Sequence, residues 1–416
     1  MKTLLINPPF YRFIGLEQDY VPLSLLAVGS KMIKDGDEVY LKNMEVGNFN
    51  YEGYNERFKS YDLYIKSIDD NDNPVWMEFR SVLKDIKPDR VGINVLNVKH
   101  KSALKIIEIA NEYNIKTMVG GNHPTNEPES YPDNVDVFRG EYESCGGRIK
   151  NLDDTPMPVY DMLLDKYSPN GYGHILSSRG CPFACKFCSS KLMWNRKVTF
   201  KSVGRILEEM SDIYDAFKPD CFTFWDETFT LNKKRLMEFC QKYSLSPNWR
   251  CDTRADSLTN DVVKVMKESG CIQISMGIEC ADNETLIAIG KGETLDDFKK
   301  AADILNKHGI QWKAYSIIGF PSDTEEIILK SISFIKSLKP FRITLSFFTP
   351  YKGTELYNEV KAMGLINDNY DMSLFSHQSP HNYFCPKINK EVYLQLRDNV
   401  SKDIDNYNKK ALEVWK

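Results

Sequence analysis

A chain of 416 residues, 42% hydrophobic and 27% charged, carries enough apolar material for a full core and enough length for two or three domains. Its formal net charge of -4 offers no basic field for a nucleic-acid backbone, so a dedicated nucleic-acid binder is disfavoured. The opening MKTLLINPPF is too short in its apolar run for a secretion signal, and no apolar stretch approaches the ~20 residues that span a bilayer; the expectation is a cytoplasmic protein without membrane association.

In chain order, short apolar runs first alternate with helical spacing. Strands are predicted at TLLINPP, EVYLKNM, YDLYIKS, RVGINVL, KTMVGG and VDVFRGE, and helices over Pro22 to Lys34, near Trp76 to Ile86 and from Lys101 to Glu112. That alternation predicts an α/β fold, a Rossmann-like parallel sheet covered on both faces, over residues 1–141. Ligands of such sheets bind in loops beyond the carboxyl ends of the strands, here Asn7-Pro8-Pro9, Leu96-Asn97, Gly120-Gly121-Asn122-His123-Pro124 and Arg139-Gly140-Glu141. Each loop also reads as a plain turn. Residues 142–167, with Gly146-Gly147, Pro156 and Pro158, lack periodicity and read as a linker.

A second βα series occupies 168–360. Its strands are GHILSSRG, CFTFWDE, NWRCDTR, CIQISMGIE, QWKAYSIIGF and RITLSFFTP. Helical patterns lie between them over Val203 to Ala216, Lys233 to Lys242, Asn260 to Ser269, Leu295 to His308 and Glu325 to Leu338. Six strands and five helices predict a partial (β/α)6 barrel whose chemistry sits at the strands' carboxyl ends. The remainder, 361–416, is a polar, aromatic loop from Asp368 to Asn389 and a helix near Lys390 to Trp415.

Ten cysteines in a chain without a secretion signal read as reduced thiols or metal ligands. Cys145, Cys221, Cys240, Cys251, Cys271, Cys280 and Cys385 are scattered, mostly in apolar patterns, and read as buried small hydrophobes. Cys181, Cys185 and Cys188 fall within eight residues, in Ser178-Arg179-Gly180-Cys181-Pro182-Phe183-Ala184-Cys185-Lys186-Phe187-Cys188. Three thiolates on one short loop can reach three irons of a 4Fe-4S cubane and leave the fourth open. The alternative is zinc, but no second CxxC exists, and the one HxxxH pair, His377 and His381, would have to fold back from a distant loop.

This CxxxCxxC spacing, with Phe187 before the third cysteine, resembles the signature of radical S-adenosylmethionine enzymes. The resemblance implies that the open iron chelates S-adenosylmethionine and that its reductive cleavage yields a 5'-deoxyadenosyl radical, with electrons from an external donor such as flavodoxin or ferredoxin. It also implies S-adenosylmethionine contacts at Phe187, at Trp225-Asp226-Glu227 after the second barrel strand, at Arg254 and Glu279, and at Ser316 and Gly319 in Ser-Ile-Ile-Gly-Phe-Pro. Other readings stay open: a helix N-cap for Asp226 and Glu227, a helix-end salt bridge for Arg254, and a Glu279–Arg254 pair. Phe348-Thr349-Pro350-Tyr351-Lys352-Gly353-Thr354 is similar to the family's sixth-strand turn, with Lys352 replacing a proline.

The first series, followed by Leu152-Asp153-Asp154-Thr155-Pro156-Met157-Pro158, resembles the cobalamin-binding branch of that superfamily, in which a Rossmann-like domain holds cobalamin over the barrel mouth. The resemblance implies cobalamin contacts at Asn7, Asn97, Gly121, Asn122, His123, Gly140 and Glu141. The chain departs from the branch in two ways: it has no D-x-H-x-x-G motif, and Tyr142 stands where a glycine is usual, with few residues before LDDTP. The implied function is a cobalamin-dependent C-methyltransferase. The alternative is a cobalamin-independent dehydratase, epimerase, mutase or oxidase with a vestigial domain. A non-catalytic iron-sulfur sensor is a third reading, opposed by the polar strand ends. Without a second cysteine cluster near the carboxyl end, a small-molecule substrate is favoured over a peptide. The late loop offers His377, His381, Tyr383 and Cys385 as lid residues or hydrogen donors, or as incidental surface residues.

Overall fold

The computed structural model describes every residue except 17, 48–53, 143–147, 368–369 and 415–416, with side chains for all of these but 54–60, 62, 372 and 414. Cys145, Gly146, Gly147, Asp368 and Trp415 therefore lie outside the described residues. The chain divides into two compact units. The first comprises 1–52, 56–174 and 371–374, the second 53–55, 175–370 and 375–416.

The first unit holds strands β1 (Lys2–Asn7), β2 (Glu38–Asn43), β3 (Arg90–Asn94), β4 (Lys116–Gly120) and β5 (Val135–Val137). They pair in the order β2-β1-β3-β4-β5, all parallel. Helices α1 (Leu23–Lys34), α2 (Tyr54–Asp69), α3 (Pro74–Ile86) and α4 (His100–Glu112) join the strands, with short helices α5 (Asn122–Asn126) and α6 (Pro169–Tyr172) after them. β1 is buried along almost its whole length, as a central strand covered on both faces must be. One expected strand is a correction: YDLYIKS lies inside α2. Its buried residues Tyr61, Tyr64 and Ile68 recur at three- and four-residue spacing while Leu63 is exposed, the signature of one helical face.

The segment expected as a linker is fastened to this unit. Val159 N donates to Ser30 Oγ at 2.9 Å, Leu163 bridges Leu41 in parallel fashion, and Asp165 accepts from Asn43 N at 2.7 Å. Met162 is buried in the same apolar cluster as Leu5, Leu25 and Leu41, and Tyr142 packs against that cluster.

The second unit is built on β6 (His174–Ile175), β9 (Cys221–Phe224), β10 (Asn248–Thr253), β11 (Cys271–Glu279), β12 (Gln311–Ile318) and β13 (Arg342–Phe347), in the spatial order β13-β12-β11-β10-β9-β6. Pairing from β9 to β13 is parallel. The expected first strand, GHILSSRG, splits: its second half is β7 (Ser178–Arg179), which pairs antiparallel with β8 (Thr199–Phe200). The connecting helices are α7 (Ser190–Trp194), α8 (Val203–Phe217), α9 (Lys233–Lys242), α10 (Asn260–Glu268), α11 (Asn283–Ala288), α12 (Leu295–Lys307), α13 (Glu325–Ser337), α14 (Glu355–Ala362) and α15 (Lys390–Val414). Their starts are capped locally: Ser202, Asn232 and Thr324 accept from backbone amides, and Thr294 with Asp297 forms a capping box. Each such cap contributes about 1 kcal/mol.

Strand period then separates two faces. Cys251, Ile274, Met276, Trp312, Ala314, Ile343 and Leu345 are buried on the side where α10, α12, α13 and α15 pack. The alternate residues are polar, among them Asp252, Ser275, Lys313 and Tyr315. Cys240, Cys251, Cys271, Cys280 and Cys385 are buried, and Cys221 is half-buried.

Candidate active site

The three-cysteine loop is held at both ends. Gly180, which leaves β7, has φ +99°, and a Cβ there would lie 2.1 Å from Lys197 O. Its N–H donates to Glu227 Oε2 at 3.1 Å. Just before it, Ser177 N and Oγ donate to Asp226 at 3.1 and 2.8 Å, and Ser178 Oγ donates to the same carboxylate. Arg235 caps the arrangement, its Nη1 on Ser177 O at 2.9 Å and its Nη2 on Ser177 Oγ at 3.0 Å. At the other end Lys186 N donates to Ile289 O at 2.8 Å, and Leu356 N donates to Lys186 O at 3.2 Å. Gly290, with φ +67°, leaves no room for a side chain against Ala184 O.

Cys181, Cys185 and Cys188 are half-buried and form no disulfide. Burial pushes the Cys185 thiol up, against the pull of Lys291 and Arg254, and burial pushes Cys188 up to about 11. Neutral thiols in such a place become thiolates only when a strong positive centre is bound among them. Among the described residues no three His, Cys, Asp or Glu side chains converge on a point that would hold one ion. Three thiols on one short loop suit a cluster whose irons take one thiolate each.

Behind the loop lies a buried charge network. Glu279, which ends β11 after a shift in register against β12, has φ +66°, a strained conformation for a non-glycine residue. Its Oε1 is 3.1 Å from Lys291 Nζ, which is also 3.3 Å from Glu293 Oε2. Burial opposes the Lys291 charge, yet Glu279 and Glu293 hold its pKa above the usual lysine range. Arg254 pairs with Asp256 at 2.9 Å and Glu293 at 3.3 Å, donates to Lys291 O at 3.0 Å, and stacks its guanidinium 3.7 Å from the Phe183 ring centroid in the cysteine loop. The partner of Glu279 is therefore Lys291 rather than Arg254. Lys291 and Glu293 were not legible as site residues; the only signal is their place in Gly290-Lys291-Gly292-Glu293, where both glycines adopt positive φ.

Ser316 is fully buried and donates to Glu279 O at 3.2 Å. Gly319 has φ +90°, and its N–H and that of Phe320 donate to Asp323 Oδ2 at 2.8 and 3.0 Å. Phe320 faces Phe187 with ring centroids 5.9 Å apart. Trp225, which follows β9, is 47% exposed. Asp226 differs from the expected ligand role: it is 2% exposed and both oxygens are occupied by Ser177 and Ser178, so it braces the strand before the cysteines.

The late loop closes on β13: Phe347 N donates to His377 O at 2.7 Å, and Asn382 Nδ2 donates to Phe348 O at 3.1 Å. Cys385 is fully buried and its thiol is pushed up by burial to about 12, and Tyr383 OH donates to Ile388 O at 2.6 Å.

In the first unit the expected loop residues separate into two groups. Asn7 is buried, with its amide on Asn43 Oδ1 at 2.8 Å and its carbonyl on Lys99 Nζ at 2.8 Å; Lys99 in turn pairs with Glu45 at 2.7 Å. His123 is buried, bonded through Nδ1 to Tyr131 OH at 2.8 Å and stacked on His100 at 4.1 Å. Glu141 is buried and accepts from Ile149 N at 2.7 Å. These three serve the protein's own contacts. Asn97, Gly121, Asn122 and Gly140 are half-exposed, and Gly121 has φ +107° with no space for a Cβ beside Asn94 Oδ1. With the exposed Leu96 they form a mixed apolar and polar rim at the strand ends.

The model of the Radical SAM superfamily matches residues 175–335. An uncharacterized methyltransferase of Pyrococcus horikoshii is 32% identical over 334 residues, covering 70% of this chain and 73% of the relative. The bacteriochlorophyllide d C-12(1)-methyltransferase of Chlorobaculum tepidum is 25% identical, with 66% of each chain covered. Among solved structures, the radical S-adenosylmethionine methyltransferase TsrM from Kitasatospora setae, with cobalamin and a [4Fe-4S] cluster bound, has a TM-score of 0.67 at 13% identity and 99% coverage of both chains. OxsB, a cobalamin-dependent S-adenosylmethionine radical enzyme, has a TM-score of 0.60 at 18% identity, covering 98% of this chain and 62% of its own. Those two likenesses are of fold. The matched region contains the cysteine loop and the strands behind it, and with the relative in P. horikoshii it establishes that the chain belongs to the radical SAM superfamily.

Proposed function

We propose that this protein is a cobalamin-dependent radical S-adenosylmethionine C-methyltransferase acting on a small molecule. The observation that carries the reading is the loop of Cys181, Cys185 and Cys188, clamped by Asp226 and Glu227 at one end and by the Ile289–Gly290 turn at the other. The relatives named as methyltransferases and the cobalamin-holding fold neighbours support the choice of reaction.

When bound, a 4Fe-4S cluster with S-adenosylmethionine supplies a hydrogen-abstracting 5'-deoxyadenosyl radical, and cobalamin supplies a transferable methyl group. The chain's own residues bind, orient and exclude water. Cys181, Cys185 and Cys188 hold the cluster. Phe187 and Phe320 keep the apolar side of the site dry, and Ser316 and Gly319 shape the turn beside it. Trp225, Glu227 and Glu279 present an aromatic face and carboxylates to the sulfonium cofactor. Arg254 and Asp226 act one step back, by fixing Phe183 and the strand into the loop. In the first unit, Asn97, Gly121, Asn122 and Gly140 are the contacts available to cobalamin. Reducing equivalents come from a flavodoxin- or ferredoxin-type protein.

The engagement of Asn7, His123 and Glu141 by the protein itself favours one second reading, a radical transformation without cobalamin. One experiment separates the two. After anaerobic reconstitution with iron, sulfide and hydroxocobalamin, the methyltransferase reading expects corrinoid absorption in the purified protein. It also expects S-adenosylhomocysteine and 5'-deoxyadenosine from methyl-labelled S-adenosylmethionine. Absence of corrinoid, with 5'-deoxyadenosine still formed, selects the second reading. Replacing Cys181, Cys185 and Cys188 together with Ala is expected to abolish cluster iron and cofactor cleavage, whereas Cys240→Ala retains both; a full cluster in the triple variant overturns either reading.

A further inference from the structure

The polar face of the barrel sheet carries more positive than negative charge. Register places Asp252, Ser275, Lys313 and Arg342 side by side across β10 to β13: Asp252 pairs with Ser275, Ser275 with Lys313, and Lys313 with Arg342. Arg250 lies two residues before Asp252, on the same face. Among the described residues none of these three cations has an acidic partner within ion-pair distance. Arg250 spends only its Nε, on Thr223 Oγ1 at 2.7 Å, and Lys313 Nζ rests 5.7 Å from the Tyr315 ring centroid. The one acid in the row, Asp252, takes the Tyr315 hydroxyl at 3.2 Å.

Like charges directly opposite on neighbouring strands destabilise a sheet. Lys313 and Arg342 are such a pair. Lys313 is half-buried, and burial, with repulsion from Arg342 and Arg250, holds its pKa below the usual lysine range although Asp252 pulls the other way. Arg250 and Arg342 are exposed, and Lys313 is the inner member of the group. Ser316, where the cofactor turn begins, is three residues further along β12, a rise of ~10 Å. The cations therefore lie one small molecule's length beneath the reactive end of the barrel.

We infer that Arg250, Lys313 and Arg342 form the anchor for a carboxylate on the substrate, received in the barrel lumen with Ser275 and Tyr315 as neutral hydrogen-bonding neighbours. The anchor rests on the reading of this barrel as the substrate chamber of a radical enzyme. Arginine forks match the planar geometry of a carboxylate, and a bound anion removes the repulsion between Lys313 and Arg342.

The test uses the reconstituted full-length holoenzyme and three fluorinated probes observed by fluorine NMR: para-fluorobenzoate, para-fluorophenyl phosphate and para-fluorobenzamide. The benzoate is expected to broaden on addition of protein and the amide is not. Lys313→Met and Arg342→Gln should each weaken benzoate binding roughly tenfold, while Lys313→Arg retains it and shows that the site has not collapsed. Equal binding of the amide, or undiminished benzoate binding by Lys313→Met, overturns the anchor. Binding of the phosphate without the benzoate overturns the carboxylate assignment. Each variant's basal 5'-deoxyadenosine formation is measured alongside. Unchanged cofactor cleavage with lost probe binding supports the anchor; failure of the wild-type protein to cleave S-adenosylmethionine overturns the radical reading and, with it, the substrate role of the anchor, while probe binding still reports the anion site.

Discussion

The two oxygens of Asp323 have unequal surroundings. Oδ2 accepts the Gly319 and Phe320 amides, while Oδ1 is buried without a hydrogen-bond donor among the described residues. Burial raises its pKa to about 7, against the pull of those two amides. A carboxyl whose folded pKa exceeds its unfolded value binds more protons when folded, so its ionisation destabilises the native state. Stability should therefore fall as pH rises from about 4 to about 7 and level off above, with a limiting contribution on the order of 4 kcal/mol. Asp323→Asn keeps an acceptor for the two amides and removes the charge; its urea unfolding free energy should lose that slope, and an unchanged slope would assign it to other groups. The sequence made the cysteines legible because their chemistry lies in eight consecutive residues. Glu279, Ser316 and Gly319 were legible as strand ends. Lys291 was not, because its meaning depends on Glu279, twelve residues away, and on the turn that buries it. Asp226 illustrates the opposite limit: its position was legible, but its engagement by Ser177 and Ser178 depends on a hydrogen-bond pattern that only the fold reveals.

Among the elements, helices were legible wherever a local cap and a periodic apolar stripe coincided, as in α12 and α13, whose expected ends at His308 and Leu338 overran the observed Lys307 and Ser337 by one residue. The failures were short. YDLYIKS is rich in residues that favour strands, and only tertiary burial of Tyr61, Tyr64 and Ile68 decides for a helix. GHILSSRG is broken at Ser177, which donates to Asp226 and accepts from Arg235. The β7–β8 hairpin ends at Gly180, whose conformation costs an L-residue about 1–2 kcal/mol before any clash. Gly36 has a similar φ of +97° with open space around it, so the two glycines separate strain from crowding. Gly36→Ala is expected to cost about that intrinsic amount. Gly180→Ala should cost more, because its Cβ meets backbone at Lys197, and should also lower cluster iron per chain. Equal stability loss in the two variants, with full iron content in Gly180→Ala, would mean that the loop yields without harm to the thiols.

For the whole molecule, the expected α/β sheet and six-stranded barrel correspond to the observed sheets because alternation of strand and helix permits few parallel arrangements. The boundary at residue 174 was less legible, since 142–167 reads as irregular while Met162, Leu163 and Asp165 fasten it to the first unit. Nor did the sequence suggest that residues 371–374 belong to the first unit, where Lys101 pairs with Asp371 at 2.9 Å and Tyr61 OH donates to Ser373 O at 3.3 Å. A chain ended at Leu365 removes both that segment and α15, which packs on β13. Calorimetry should find both units destabilised; an unaltered first unit would make the segment's contacts incidental. The same excursion bears on synthesis. The first unit's early residues are complete at His174, but its last piece is made about 200 residues later. At roughly 5–20 residues per second the ribosome takes about 10–40 s to supply it. Throughout that interval the early unit is one segment short, open to chaperones and proteases, and it is finished only after the strands that carry the cysteine loop have been translated.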